Sequence, residues 1–364
     1  MAETPLSDLE AILLVGGQGT RLRPLTLGTP KPLLPTAGVP FLAHQLARAR
    51  SFGVGRIVFA TSYRAEMFSE AFGDGSAFGL SIEYVTEETP LGTGGAIRNA
   101  AEALTCGPDA PVLVLNGDIL SGHDIGDQVA RHVSRGAAVT LHLTEVEDPS
   151  RFGCVPTDEE GRVTAFLEKT PNPVTNLINA GCYVFTRSVI DSIPAGRVVS
   201  VERETFPGLI EDGALVLGYA DASYWLDVGT PAAFVKGSRD LVLGRLASPA
   251  LPGPPGDFLA LPGAMISPEA KVSGGSVVGA RAVVESGARI TGSVLGDDCV
   301  VHADAEVVDS VVGIGARVSS GTVLRDVVIG DGAVVGAGNE LLAGSRVWPG
   351  VVLPECAVRF SSDV

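Results

Sequence analysis

Between residues 266 and 353 apolar side chains recur at six-residue steps: Ile266, Val272, Val278, Val284, Ile290, then Leu295, Val301, Val307, then Val312, Val318, Leu324, then Ile329, Val335, Leu341, Val347, Leu353. Three steps are one residue short, which sets Val278, Leu295, Val312 and Ile329 17 residues apart, each followed by a glycine, Gly279, Gly296, Gly313 and Gly330. Such a chain can bury one residue in six only by coiling. Three short strands make one triangular turn, the apolar residue fills the shaft, and glycine or another small residue takes a corner. The sequence therefore predicts a left-handed parallel β-helix over residues 263–364. That reading also accounts for 46 glycines in 364 residues and an aromatic content of only 5%, since tight coils leave little room for large side chains.

The preceding half has a different grammar. From Leu9 to about Arg245 short apolar runs alternate with longer amphipathic ones, the pattern of an α/β domain. Strands are expected at residues 11–15, 56–61, 81–85 and 112–116, later ones at 138–145, 162–168, 178–185 and 215–219, and a helix at 41–52. Runs apolar on both faces imply a mainly parallel, Rossmann-like sheet. Pro249, Pro252, Pro254, Pro255 and Pro262, interleaved with Gly253 and Gly256, break any regular element, so the expected division is 1–245, a linker at 246–262, and 263–364.

The formal charge of −16 argues against nucleic acid or an anionic membrane as the main partner. Yet no acidic residue lies between Glu10 and Glu66, where Arg21, Arg23, Lys31, Arg48, Arg50, Arg56 and Arg64 give +7. A cationic island in an acidic chain suggests an anionic small ligand. The five cysteines, Cys106, Cys154, Cys182, Cys299 and Cys356, are odd in number and lack CxxC spacing, so neither a disulfide framework nor a zinc site is expected. A cytoplasmic location fits best, and neither a signal peptide nor a membrane span is expected.

Immediately after the first expected strand, Val15, comes Gly16-Gly17-Gln18-Gly19-Thr20-Arg21-Leu22-Arg23-Pro24, and then Thr29-Pro30-Lys31-Pro32. A glycine-rich loop at a strand end can wrap phosphates with its backbone N–H groups. Leu22 stands where a dinucleotide fingerprint needs glycine, and Gly19-Thr20-Arg21 stands where a P-loop needs Gly-Lys-Ser/Thr. Lys31 precedes a proline, so an extended, stiff backbone is expected there. Beside Arg21 it suits a polyphosphate.

With these residues the chain resembles the sugar-nucleotide pyrophosphorylases, which join a nucleoside triphosphate to a sugar 1-phosphate. The likeness continues in family order. Leu91-Gly92-Thr93-Gly94-Gly95-Ala96 resembles the base-binding loop and Asn116-Gly117-Asp118 the metal-binding strand end. Phe152-Gly153, Glu168-Lys169 and Asn179-Ala180-Gly181 resemble the sugar-phosphate pocket, and Trp225 to Pro231, with Asp227, the second metal motif. Departures are mild: Val15, Gly95 and Cys182 replace residues of similar size, while Thr170 between Lys169 and Pro171 leaves the sugar-side geometry open.

The resemblance implies that Val15, Gly16, Gly17, Gly19, Thr20, Arg21, Glu87, Gly92 and Thr93 bind nucleotide. It places Asn116, Gly153, Glu168, Lys169 and Asn179 on the sugar phosphate and Mg²⁺ on Asp118 and Asp227. Arg21, Lys31, Asp118 and Lys169 would serve catalysis. A sugar 1-phosphate is already ionised at pH 7, so attack on the α-phosphorus calls for charge neutralisation and in-line positioning rather than for a Ser, Cys or His nucleophile. Mg²⁺ prefers one or two carboxylates with phosphate oxygens and water.

Guanine offers two adjacent donors, N1–H and the 2-amino group, which a carboxylate accepts together; adenine presents an acceptor at N1. Glu87 stands where the resemblance puts the base reader, next to Glu88. The nearest likeness is to members that pair GTP with mannose 1-phosphate. Open alternatives are a glucose-1-phosphate thymidylyl- or uridylyltransferase and a non-catalytic nucleotide-sugar sensor. His302, alone in the repeat, is expected at a corner or on the surface rather than as an acyltransferase base. The apolar C-terminal coil, with Val347, Trp348, Pro349 and Val351, suggests a cap or a homo-oligomer contact.

Overall fold

In the computed structural model residues 9–62, 64–170 and 172–359 are described. Leu9–Leu14 is apolar almost throughout because it is the central strand of a sheet covered on both faces. It pairs in parallel with Val54–Thr61 on one side and Pro111–Asn116 on the other, and Ser81–Thr86 continues the parallel run beyond Val54–Thr61. Past Pro111–Asn116 the sheet turns mixed. Leu177–Thr186 is antiparallel to it, Val139–Glu145 is antiparallel to Leu177–Thr186, and Val216–Ala220 runs parallel to Val139–Glu145. Ile12, Val58, Val114, Tyr183 and Phe185 from adjacent strands lie fully buried in one apolar core with Phe206 and Val201.

The long strand expected at 162–168 is not formed. Arg162 and Val163 make only isolated bridges to Leu217 and Thr157, and a separate pair, Leu167–Glu168 against Gly153–Cys154, follows. The Thr164 N–H to Pro156 carbonyl bond (3.0 Å) and the Asp158 N–H to Arg162 carbonyl bond (2.9 Å) flank the single Val163–Thr157 bridge, and Phe166 is buried in the core.

The chain packs as two units. One comprises the described residues to Gly17 with Gln45–Trp225; the other comprises Gln18–His44 with Leu226 onward. In the second unit the six-residue rhythm becomes three parallel sheets, one per face of the coil, running from Phe258–Ala260, Met265–Ile266 and Lys271–Ser273 to Arg346–Val347, Val352–Leu353 and Glu340–Leu342. Every residue of the apolar series from Val278 to Val347 is buried, and Ile266, Val272 and Leu353 at the ends are partly so. The first of these strands, Phe258–Ala260, lies inside the stretch expected as linker.

The short steps have a structural cause. Val277 pairs with Val294 and Val294 with Val311, whereas the outer partners, Leu259 with Val277 and Val328 with Arg346, are one residue further apart. At the shortened corner sits a buried ladder in which Ser276 Oγ accepts from Ser293 N (3.1 Å), Ser293 Oγ from Ser310 N (3.1 Å) and Ser310 Oγ from Val327 N (3.0 Å). Each hydroxyl satisfies an amide that the tight corner takes out of the β ladder. At Gly296 a Cβ would meet the Gly313 carbonyl carbon and the Ile314 nitrogen at 2.8 Å, so only glycine lets consecutive coils stack there.

Gln18–His44 is fixed within its unit by polar contacts: Ala37 N donates to Ser238 Oγ (2.9 Å), and His44 bridges Ser248 Oγ and the Thr36 carbonyl. The helix Pro231–Val242 in turn joins the coil, through Arg239 and Asp309 at 3.0 Å. Among the described residues no helix is long and apolar enough to cross a membrane.

Candidate active site

In the first unit the end of the central strand supplies Val15, whose amide continues the ladder to Ala60 at 3.1 Å, and then Gly16 and Gly17. A Cβ on Gly16 would lie 2.9 Å from Ser62 Oγ, so its backbone approaches closely, and Gly17 takes φ 146°. Next to it in the sheet, Asn116 closes its strand. The Gly117 N–H donates to the Leu14 carbonyl at 2.9 Å, which leaves no space for a Cβ at Gly117 and sets the turn that carries Asp118. Gln45, on the helix Phe41–Ser51, holds both sides of this turn by donating to the carbonyls of Asn116 (3.0 Å) and Ile119 (2.6 Å). Sequence reasoning missed Gln45; its only trace is an amide among the apolar positions of that helix.

Glu87 and Glu88 separate in the fold. Glu88 is exposed. Glu87 accepts the Leu91 N–H on Oε2 at 3.3 Å, while its buried Oε1 has no hydrogen-bond partner among the described residues. Desolvation raises its pKa, an effect opposed by the Leu91 N–H. Here a partly buried carboxylate has one oxygen engaged and one without a donor among the described residues.

The glycines that follow have a packing role. Gly92 has φ 71°, and a Cβ there would come within 2.6 Å of the Val199 carbonyl, which also accepts the Gly94 N–H at 2.8 Å. Thr93 donates to Glu202 (2.8 Å) and accepts from Val201 N (3.0 Å), so its hydroxyl is committed inside the protein.

The expected sugar-phosphate residues form two linked groups in the same unit. Strand pairing sets Gly153 opposite Glu168, close enough that a Cβ on Gly153 would lie 3.0 Å from Glu168 Oε2. Lys169 follows with φ 49° and an exposed side chain whose ammonium is 3.2 Å from Glu168 Oε1; Pro171 lies outside the described residues. In the other group Asn179 donates to the Tyr183 hydroxyl at 2.8 Å, and Asn116 bonds the same hydroxyl. Burial raises the Tyr183 pKa, keeping it protonated. Trp225 Nε1 donates to the Ala180 carbonyl at 2.9 Å, and its ring meets Phe152 edge-on at 5.6 Å. Tyr183 was not singled out from sequence because it lies in an ordinary apolar strand run.

In the second unit Gly19, with φ 56°, starts a 3-10 turn, Thr20–Leu22, and its carbonyl accepts Thr26 Oγ1 at 2.8 Å. A Cβ on Gly19 would meet Lys31 Cβ at 3.0 Å. Lys31 is not extended as expected: it opens a second 3-10 turn, Lys31–Leu33, and the extended backbone falls on Pro30 instead (ψ 141°). Proline after it is tolerated because the first turn of a helix needs no N–H from that position. The Lys31 ammonium is 3.8 Å from Asp227 Oδ1, with both side chains largely buried. A Cβ on Gly229 would lie 2.7 Å from Arg21 Nη2 and 3.1 Å from Asp227 Oδ1, so Arg21 and Lys31 flank one carboxylate.

Two other cations of the island are engaged elsewhere. Arg48 donates to the His123 carbonyl and Arg56 to Glu83 and the Ala103 carbonyl. On the coil His302 pairs with Glu285 at 3.1 Å and is partly exposed.

An α/β sheet with a glycine-rich strand end, two acidic turns and a hexapeptide coil defines a class, and residues 10–242 match the nucleotidyl transferase family model. The chain belongs to that family. Residues 263–346 match the GlmU-like C-terminal hexapeptide model. Over 358 residues the chain is 58% identical to a mannose-1-phosphate guanylyltransferase of Mycobacterium tuberculosis (strain ATCC 25618 / H37Rv), covering 98% of this chain and 99% of that one. It is 40% identical over 233 residues to a mannose-1-phosphate guanyltransferase of Candida albicans (strain SC5314 / ATCC MYA-2876), 63% and 64% of the two chains. Among solved structures, HddC from Yersinia pseudotuberculosis complexed with GMP-PN aligns with TM-score 0.55 and 26% identity, over 64% of this chain and 99% of that one.

Proposed function

We propose that this nucleotidyltransferase makes GDP-mannose and pyrophosphate from GTP and mannose 1-phosphate. The observation that carries the choice of guanine is Glu87, whose buried Oε1, without a partner among the described residues and beside an occupied Oε2, leaves a carboxylate to accept N1–H and the 2-amino group. Identity of 58% along nearly the whole length of a mannose-1-phosphate guanylyltransferase supports the sugar.

In this reading an ionised phosphate oxygen of mannose 1-phosphate attacks the α-phosphorus of GTP. The new O–P bond forms as the bond to the β-phosphate oxygen breaks, and pyrophosphate leaves with that electron pair. Arg21 and Lys31 bind the triphosphate and offset charge on the departing pyrophosphate. Lys169 holds the sugar phosphate, with Glu168, Gly153, Asn179 and Asn116 around the sugar. Asp118 and Asp227 would hold Mg²⁺, a hard cation suited to two carboxylates that takes its other ligands from phosphate and water. Bound there, it would neutralise phosphate charge.

Transfer is assigned to the segment expected as 1–245, and the coil that follows it begins at Phe258–Ala260. The five cysteines are all unpaired, in keeping with a cytoplasmic enzyme. Exposed Trp348 and Val352 at the last coils fit a homo-oligomer contact.

The test is product identification: GTP and mannose 1-phosphate with Mg²⁺ should yield GDP-mannose and pyrophosphate in equal amounts. Absence of GDP-mannose while another pair reacts would overturn the reading.

A further inference from the structure

We propose that Arg346, on the β-helix, is a positioning residue for the triphosphate loop, so that the coil sets nucleotide affinity without touching nucleotide. The loop's own turns use the carbonyls of Gly19, Thr20, Leu22 and Pro24, which accept from Leu22, Arg23, Leu25 and Leu27 at 3.0 to 3.2 Å. The carbonyls of Arg21 and Arg23 alternate with these, and both accept from one nitrogen, Arg346 Nη1, at 3.0 and 2.5 Å. A single cationic donor thus clamps the backbone on either side of Leu22, whose side chain is fully buried. The side chain of Arg21 starts from that clamped segment.

The donor is itself held rigidly. Arg346 belongs to Arg346–Val347, paired in parallel with Val328–Ile329 through Val328 N to Ser345 O (3.0 Å) and Gly330 N to Val347 O (2.8 Å). Val347 fills the shaft, so strand alternation sends Arg346 outward. Hydrogen bonds from a charged donor are among the stronger ones and carry direction. An ammonium could reach the same carbonyls with less geometric restraint.

This inference rests on the reading of Arg21 as a triphosphate ligand. Steady-state kinetics of the full-length Arg346→Ala and Arg346→Lys enzymes, with Arg21→Ala beside them, tests both. Arg346→Ala should raise KM for GTP about tenfold, the loss expected of a weakened charge-assisted clamp, with KM for mannose 1-phosphate within about twofold. Arg346→Lys should recover part of the GTP affinity, and thermal midpoints of both should stay near wild type. An unchanged KM for GTP in Arg346→Ala, while Arg21→Ala raises it, would overturn the clamp and leave the site reading standing. Equal loss toward both substrates with a lowered midpoint would mark Arg346 as merely structural and also overturn it. No effect of Arg21→Ala would remove the site reading on which the clamp depends.

Discussion

At the scale of single residues the site depends on where carboxylates sit rather than on how many there are. Asp227 lies among Arg21 and Lys31, and Asp118 follows a turn held by Gln45 and by the Gly117 N–H. Asp118→Asn and Asp227→Asn should each lower kcat by at least ~100-fold at saturating Mg²⁺, since each weakens the charge that would hold the cation. Near wild-type turnover in either variant would remove that residue from the metal site. Glu87 leads to a pH prediction. Burial raises its pKa, and only the ionised form accepts both guanine donors, so kcat/KM for GTP should fall with decreasing pH from above the usual carboxylate range. In Glu87→Gln that acid limb should vanish; persistence of the limb would assign it to another group. In the sequence the two glutamates stand side by side, and the resemblance put the base reader at Glu87. What the fold adds is the difference between them: Glu88 is exposed, and one buried Glu87 oxygen has no hydrogen-bond partner among the described residues.

Secondary-structure elements differ in how openly they are written. The coil was legible nearly residue by residue because a shaft one side chain wide admits only one apolar residue per face, and that constraint repeats. The serine ladder was legible in spacing too, Ser276, Ser293 and Ser310 recurring every 17 residues, but buried serine carries no obvious signal until a corner amide is seen to need it. The 162–168 stretch was misread because strand propensity cannot see that its residues pair piecemeal, Arg162 with Leu217, Val163 with Thr157, and Leu167–Glu168 with Gly153–Cys154. Lys31 was misread because the bias before proline is weaker than the turn closed by Leu33 N on the Pro30 carbonyl at 2.9 Å. Gly296→Ala should destabilise the protein by roughly 1–3 kcal/mol through overpacking. Ser293→Ala should cost about as much by leaving the buried Ser310 N–H unsatisfied. Denaturant unfolding checks both against Gly107→Ala, where a Cβ meets nothing and the change should stay within about 0.5 kcal/mol. If all three variants behaved alike, the stacking account of the coil would fail.

On the scale of the whole molecule, the boundary read from composition and the boundary drawn by packing differ. Proline and glycine at 249–262 mark where one grammar ends, yet Gln18–His44 and the helix Pro231–Val242 pack with the coil. Gly38 shows this at close range, since a Cβ there would meet Leu261 at 2.7 Å and Pro252 at 3.3 Å. Sequence order could not reveal such a long-range partnership. A chain ended at about Gly253 should therefore lose activity as well as the proposed oligomer contact: transfer should drop by at least about tenfold, from the loss of the Arg346 clamp and of the packing around Gly38. Light scattering should report fewer chains per particle than in the full-length protein. A folded truncation with full GTP affinity and an unchanged number of chains per particle would contradict both roles of the coil.

The most direct test of the central claim is kcat/KM for pyrophosphate release across a grid of five nucleoside triphosphates, mannose 1-phosphate and glucose 1-phosphate, for wild type and Glu87→Gln. GTP with mannose 1-phosphate should lead the wild-type grid, and Glu87→Gln should cut the preference for GTP over dTTP and UTP by roughly tenfold or more, as expected for loss of a hydrogen bond to a charged group. A wild-type grid led by dTTP or UTP with glucose 1-phosphate, or a GTP preference untouched by the substitution, would contradict the account.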